Sequence, residues 1–432
     1  MNKNIAIIGA GYTGLTAAYR LAQKGHNVTI LDKGTVVGGL ASEFTIEGAS
    51  LERAYHHLFK TDTSIIGLAD ELGIGDKIGW HNSSVSLYYN NTLYPFKGAL
   101  DLIRFKPLYF HNRIRAGLVV LYLQRTNSWE KLQRVSAYSW MRRYAGKQVT
   151  GVIWEPLLRG KFDTHFDKVA MAWLWARIHV RAQSREVGGE KLGYFEGGFQ
   201  TFTDALVNKI ESLGVKIKTG VDIQSINSID GKVVIKVGGE KQIYDSCVAT
   251  VPSHIFAKLV ESDKAASTAY IKKLTDISYL GARLLIFSSD QELSPYYWHN
   301  INDMNVPFLV FINHTNLINK KNYNGKNIYY LAAYLPHDHT LFTCDDAALK
   351  RTWLSALKQI FPAFDQSKIH ELHTFTFANA QHIVGLDYAS KIPSKKTPLK
   401  NVYLSNFSQI FPEDRGTNYA VRDGEAIAKI TI

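Results

Sequence analysis

Cysteine is almost absent: Cys247 and Cys344 are the only two among 432 residues. Two cysteines make neither a disulfide framework nor a cysteine-based metal site. Cys247 sits in the apolar run 244–250, where a thiol packs rather than reacts. No Ser/His/Asp or metal-ligand spacing stands out, and no resident metal is expected. Tandem repeats and low-complexity linkers are missing as well. Residues 118–123, the most apolar run of their region, fall far short of the ~20 residues that span a bilayer. No basic-then-apolar leader precedes the first strand, so no secretory signal or transit peptide is expected, and the expected compartment is the cytoplasm. Acids are in deficit, with 38 Asp and Glu against 50 Lys and Arg and a net charge of +12. That deficit is local: residues 101–185 hold sixteen Lys or Arg and five Asp or Glu. No recognised nucleic-acid motif accompanies the charge, and no nucleic acid is expected.

What is present begins at Ile5. Residues 5–8 form an apolar run suited to a buried strand, followed at once by Gly9-Ala10-Gly11-Tyr12-Thr13-Gly14. A helical pattern covers 15–24, and a second strand, 27–31, ends on Asp32 and Lys33. This order fits a dinucleotide. Gly9 turns the chain off the strand, Gly11 admits a diphosphate to the helix N-terminus, and Gly14 lets helix and strand pack closely. Asp32 stands where a carboxylate accepts hydrogen bonds from a ribose diol. Gly38-Gly39-Leu40-Ala41-Ser42 follows, and its doublet lets backbone N–H groups reach a second stretch of the same ligand.

Later segments extend the pattern. Residues 221–226, 232–237 and 243–251 read as three strands, the last running to Pro252. Near the end, 401–406 reads as a strand and Asp414-Arg415-Gly416-Thr417-Asn418 precedes a helix. Together these pieces resemble the flavin amine oxidase, protoporphyrinogen oxidase and phytoene desaturase superfamily. The resemblance implies FAD as cofactor. It implies an α/β fold: a discontinuous Rossmann-like FAD domain (1–97, 191–252, 400–432), a helical basic and aromatic subdomain (98–190) and an α+β substrate domain (253–399). It places Ile223 on the adenine side, Asn406 near the ribityl chain, and Arg415, Gly416, Thr417 and Asn418 at the flavin ring. Two positions depart from the superfamily pattern: Leu40 stands where Arg is frequent, and Asn406 where an acid is frequent.

The resemblance also implies hydride transfer from a C–H bond of an organic substrate to flavin N5. His57, in the loop after the doublet, is a candidate to polarise a flavin carbonyl or move a proton near neutral pH. His314 ends an apolar strand and is a candidate for the substrate side. Residues 154–162 place Arg159 and Lys161 around Gly160, a candidate phosphate clamp or a plain helix junction. Three readings of the basic block 101–185 stay open: a surface for the inner face of a membrane and a lipid-linked substrate, a site for an anionic substrate, and a solvated face. Two alternatives to the oxidoreductase remain, a redox-neutral enzyme resembling UDP-galactopyranose mutase and a flavin-stabilised binding protein without turnover.

Overall fold

The computed structural model describes residues 2–186 and 189–431. Met1, Val187, Gly188 and Ile432, inside the expected segments 1–97, 98–190 and 400–432, lie outside the described residues. Strand Asn4–Ile8 is apolar on both faces and takes the centre of a five-stranded sheet. Its order is Lys216–Lys218, Asn27–Leu31, Asn4–Ile8, Ser246–Ala249 and Val402–Leu404, and every pairing is parallel. Parallel strands covered on both faces read as near-continuous apolar runs, as Asn4–Ile8 and Ser246–Ala249 at the centre do, while the edge strand Lys216–Lys218 keeps both lysines exposed. The first helix, Tyr12–Gln23, packs against the last, Thr417–Ile430, so the chain's two ends meet beside the sheet.

A second, seven-stranded sheet lies in the remainder of the chain. Its order is Ile369–His382, Tyr279–Ser289, Asn327–Leu335, Val310–Asn313, Trp298–Ile301, Val85–Tyr89 and Thr92–Pro95. All its pairings are antiparallel except Trp298–Ile301 with Val85–Tyr89. The hairpin at 85–95, read with residues 1–97 in the sequence, is therefore hydrogen-bonded into this second sheet. Helices Ala99–Arg104, Phe110–Arg125, Ala137–Tyr144, Glu155–Phe162 and Met171–Gln183 form a helical layer with its own core around Trp173, Phe162 and Met141.

The run 243–251 is not one strand. Glu240–Tyr244 closes a three-stranded antiparallel sheet, and Ser246–Ala249 enters the parallel sheet. Asp245 makes the transfer: its N–H donates to the Asn4 carbonyl at 2.7 Å, and its carboxylate accepts from the Asn4 N–H at 2.7 Å.

Candidate functional site

The glycine turn comes first. Helix Tyr12–Gln23 has no acid in its first turn and no side-chain cap at Gly11, so its leading N–H groups stay open to an anion. Gly14 is required by contact, because a Cβ there would stand 2.0 Å from the Gly9 carbonyl oxygen. The doublet folds back onto this turn. Gly38 N–H donates to the Ala10 carbonyl at 2.8 Å. Gly39 has φ 61°, and a Cβ on it would reach 3.1 Å from Gly11 Cα. The two glycine signals thus form one unit. Asp32 braces it, accepting from Ala10 N–H at 2.5 Å and Gly34 N–H at 2.6 Å. Val221 N–H donates to the Asp32 carbonyl at 3.0 Å, which brings the strand Ile223–Ile229 beside the acid. Lys33 is exposed and Ala41 is buried.

A cavity of about 230 Å³ lies where residues 40–62 and 414–419 meet the second sheet. Leu40, Tyr55, His56 and His57 line it from one side, and Gly416, Thr417 and Asn418 from the start of the last helix. That helix also begins without a side-chain cap and without an acid in its first turn. Ala282 with Leu284, and Trp298 with Asn300, come from alternate positions of their strands, which share one face. Alanines at 282, 332 and 380 leave the space open. Helix Met171–Gln183 adds Ala176, Arg177, Val180 and Arg181, spaced to share one helix face.

Charge is concentrated at one end of this cavity. Asp414 pairs with Lys161, and its Oδ2 accepts from Arg177 Nη1 at 2.9 Å. Burial opposes ionisation of Asp414, but Lys161, Arg177 and Arg415 outweigh it and hold the carboxyl well below its usual range. Burial also lowers the Lys161 pKa, with Asp414 opposing. Arg415 Nη2 donates to the Tyr334 hydroxyl at 2.8 Å. Burial would raise the Tyr334 phenol; Arg415 and Lys161 overcome it and pull the phenol below its ordinary value. Asp414 Oδ1 and Arg415 Nε are buried without a hydrogen-bond partner among the described residues.

The sequence candidates separate here. His57 lines the cavity, with Nδ1 3.3 Å from the Tyr297 hydroxyl. Burial and Arg181 push its pKa down to about 3, so the expected proton transfer near neutral pH has no charge change behind it. His314 is buried away from the cavity lining, with Nε2 2.9 Å from the Tyr323 hydroxyl and its ring edge-on to Tyr194. Its strand ends in the sheet core rather than at the cavity. Asn406 also turns inward, donating to the Val251 carbonyl at 2.9 Å and accepting from Ser408. The Asn418 side chain caps helix Thr63–Glu71, accepting from Ser64 N–H at 2.9 Å, while the residue still lines the cavity. Sequence reading missed Arg177, Arg181 and Tyr334; the four-residue spacing of the two arginines on an apolar helix was the available signal.

Two open helix N-termini, a glycine unit that a Cβ would fill and an unpaired Arg415 N–H fit a long, diphosphate-bearing cofactor. Known proteins agree with that geometry. The family described as flavin containing amine oxidoreductase matches residues 12–408. Coproporphyrinogen III oxidase of Staphylococcus aureus is 24% identical over 303 residues, covering 61% of this chain and 64% of that protein. This match spans a little under two thirds of the relative's length. The chloroplastic/chromoplastic 15-cis-phytoene desaturase of Narcissus pseudonarcissus is 22% identical over 428 residues, covering 93% and 74%. The solved structure of cyclohexylamine oxidase from Brevibacterium oxydans superposes with a TM-score of 0.78 at 12% identity, covering 100% of this chain and 99% of that one. The chain belongs to the flavin containing amine oxidoreductase family, and it is an FAD-dependent oxidoreductase.

Proposed function

We propose that this enzyme takes hydride from a C–H bond of an organic substrate seated in the cavity. The observation that carries the reading is the shared lining: Leu40 and Gly416–Asn418 belong to the cofactor segments, and Ala282, Trp298 and Phe377 to the second sheet. Gly11, Gly14 and Gly39 would offer backbone N–H groups to the diphosphate half of FAD, while Gly9 and Gly38, whose N–H groups are bonded to the Leu31 and Ala10 carbonyls, shape the turn; Asp32 and Lys33 would stand on the ribose side and Ile223 toward the adenine. Leu40, Ala41 and the N–H groups after Gly416 meet the ring half. FAD bound there supplies the hydride acceptor. His56 and His57 stay neutral beside it, which keeps the floor uncharged, and the apolar strands exclude water. The test is anaerobic mixing of the holoenzyme with organic candidates while the visible flavin band is followed. Bleaching matched by product supports the reading. An oxidised band that persists with every candidate, while a nucleotide sugar is converted, would establish the redox-neutral alternative instead.

The enzyme also docks on an anionic membrane surface. In helix Phe110–Arg125, Phe110 (64% exposed), Ile114 (43%), Leu118 (63%) and Tyr122 (59%) recur every fourth residue on one face. Leu100 (69%) and Ile103 (43%) are exposed on the adjoining helix Ala99–Arg104, and Arg104, Lys106, Arg115 and Arg125 of the same region are exposed as well. Apolar side chains rimmed by cations suit a bilayer interface with anionic headgroups. No helix among the described residues is long and apolar enough to cross a membrane. The stripe is close to the chemistry: its helix packs on Met171–Gln183, which lines the cavity, and Trp175 Nε1 donates to the Thr126 carbonyl at 2.8 Å. Flotation with phosphatidylglycerol vesicles tests this. The native chain is expected to float and Leu118→Glu/Tyr122→Glu to stay at the bottom; equal flotation of both contradicts the docking.

A further inference from the structure

We infer that the substrate is held in this cavity by an anionic group, a carboxylate or a phosphate, seated against Lys161 and Arg177 with Arg415 beside them. The inference rests on the proposed oxidoreductase site and names the class of molecule it takes. Three cations from three separate elements converge on one end of the cavity: Lys161 on Glu155–Phe162, Arg177 on Met171–Gln183 and Arg415 in the loop before the last helix. One carboxylate, Asp414, answers them. Lys161 is only 7% exposed, so its charge is held largely out of bulk water. The other acid lining the cavity is Asp62. It accepts from Phe59 N–H at 2.8 Å, and burial pushes its pKa up to about 6.

A buried excess of positive charge is costly unless an anion completes it. Two further observations point to that anion. The Tyr334 phenol is pulled down in spite of its burial, which reports a positive potential at the cavity wall. Arg415 also keeps a buried N–H without a partner among the described residues. Leu284, Trp298, Leu309 and Phe377 give the lining a large apolar share, beside the neutral His56, His57 and Asn300 and a further cation, Arg181. The matching ligand therefore has an apolar body and one charged anionic end. A protonated amine would meet like charge at this end of the cavity.

Arg415 precedes Gly416 and also stands near the proposed ring half of the cofactor, so the test rests on Arg177, which the helical layer supplies. Oxidised holoenzyme is titrated with benzoate, phenyl phosphate, benzamide and benzylamine, and the flavin difference spectrum is recorded. Benzoate or phenyl phosphate is expected to perturb the spectrum saturably and at least about tenfold more tightly than benzamide. Whichever of the two binds more tightly identifies carboxylate or phosphate as the source. Arg177→Met is expected to weaken that anion about tenfold or more at unchanged FAD content, with Arg177→Lys intermediate. Equal binding of benzamide, preference for benzylamine, or no response to either anion would overturn the inference; so would Arg177→Met with native anion affinity. The comparison of the four probes on the native chain stands even where a variant fails to fold. Anion-selective perturbation without bleaching by any substrate would sink the proposed hydride transfer from an organic substrate and leave the anion site standing.

Discussion

The cofactor cradle and the cavity are built on opposite principles. The cradle is made of backbone: a turn, a doublet and two open helix N-termini, its first two parts contained in residues 5–42. The cavity is made of side chains, drawn from loops, helices and strands between Leu40 and Tyr419. In the cradle identity is fixed by the lack of a Cβ, and in the cavity by charge and volume. Variants in the two regions should therefore fail in different ways.

The largest expected effect is in the cradle. Gly14→Val drives side-chain atoms into the Gly9 carbonyl and is expected to leave purified chain without FAD, at a cost of about 3 kcal/mol or more in stability. Flavin absorbance per chain after gel filtration checks it, and native occupancy would show that the turn tolerates a Cβ. In the cavity, Asp414→Asn leaves Lys161, Arg177 and Arg415 without their shared acid. It is expected to lower the unfolding free energy in urea by about 3 kcal/mol, with FAD still bound.

The two regions should also respond to pH with opposite sign. In the cofactor half, Glu43 and Glu52 are partners across a hairpin and clamp the start of helix Gln200–Ser212, accepting from Gln200 and Phe199 N–H. Burial pushes Glu43 up to about 7; burial, then the Glu43 charge, pushes Glu52 up to about 8. The folded chain then binds more protons than the unfolded one, so this contribution is present in acid and is lost as pH rises through about 7 to 8. Asp414 is depressed, so its contribution is present at neutral pH and lost in acid. Glu52→Gln is expected to flatten the alkaline limb of a stability–pH profile and Asp414→Asn the acid limb; an unchanged profile in either variant removes the corresponding assignment. The smallest effect is expected at Asn418→Ala, which removes the cap on Thr63–Glu71 and costs about 1 kcal/mol in thermal unfolding.

The same contrast explains what the sequence disclosed. Strand, glycine turn, helix and acid lie consecutively, so local spacing carried the dinucleotide turn and the first two parallel strands, and FAD followed from the resemblance that the later segments completed. Strand Ile369–His382 escaped notice because it sits at a sheet edge, and its His, Glu and Thr residues break the apolar alternation. The run 243–251 looked like one strand because its apolar residues continue across Asp245, whose bonds to Asn4 divide it. His57 and His314 were both read as loop histidines; His57 is set at the cavity beside Tyr297, 240 residues away, whereas His314 is held in the core by Tyr323, nine residues away. Arg177, Tyr334 and Asp414 meet only in three dimensions.

Cradle and cavity are expected to share one FAD, its diphosphate at the glycine unit and its ring in the cavity. A crystal structure of the FAD-bound chain tests this most directly. Diphosphate density is expected at the N-terminus of Tyr12–Gln23, and ring density between Leu40, Tyr55 and the Gly416–Thr417 backbone. Ring density outside that cavity, or a diphosphate away from Gly11 and Gly39, would contradict it.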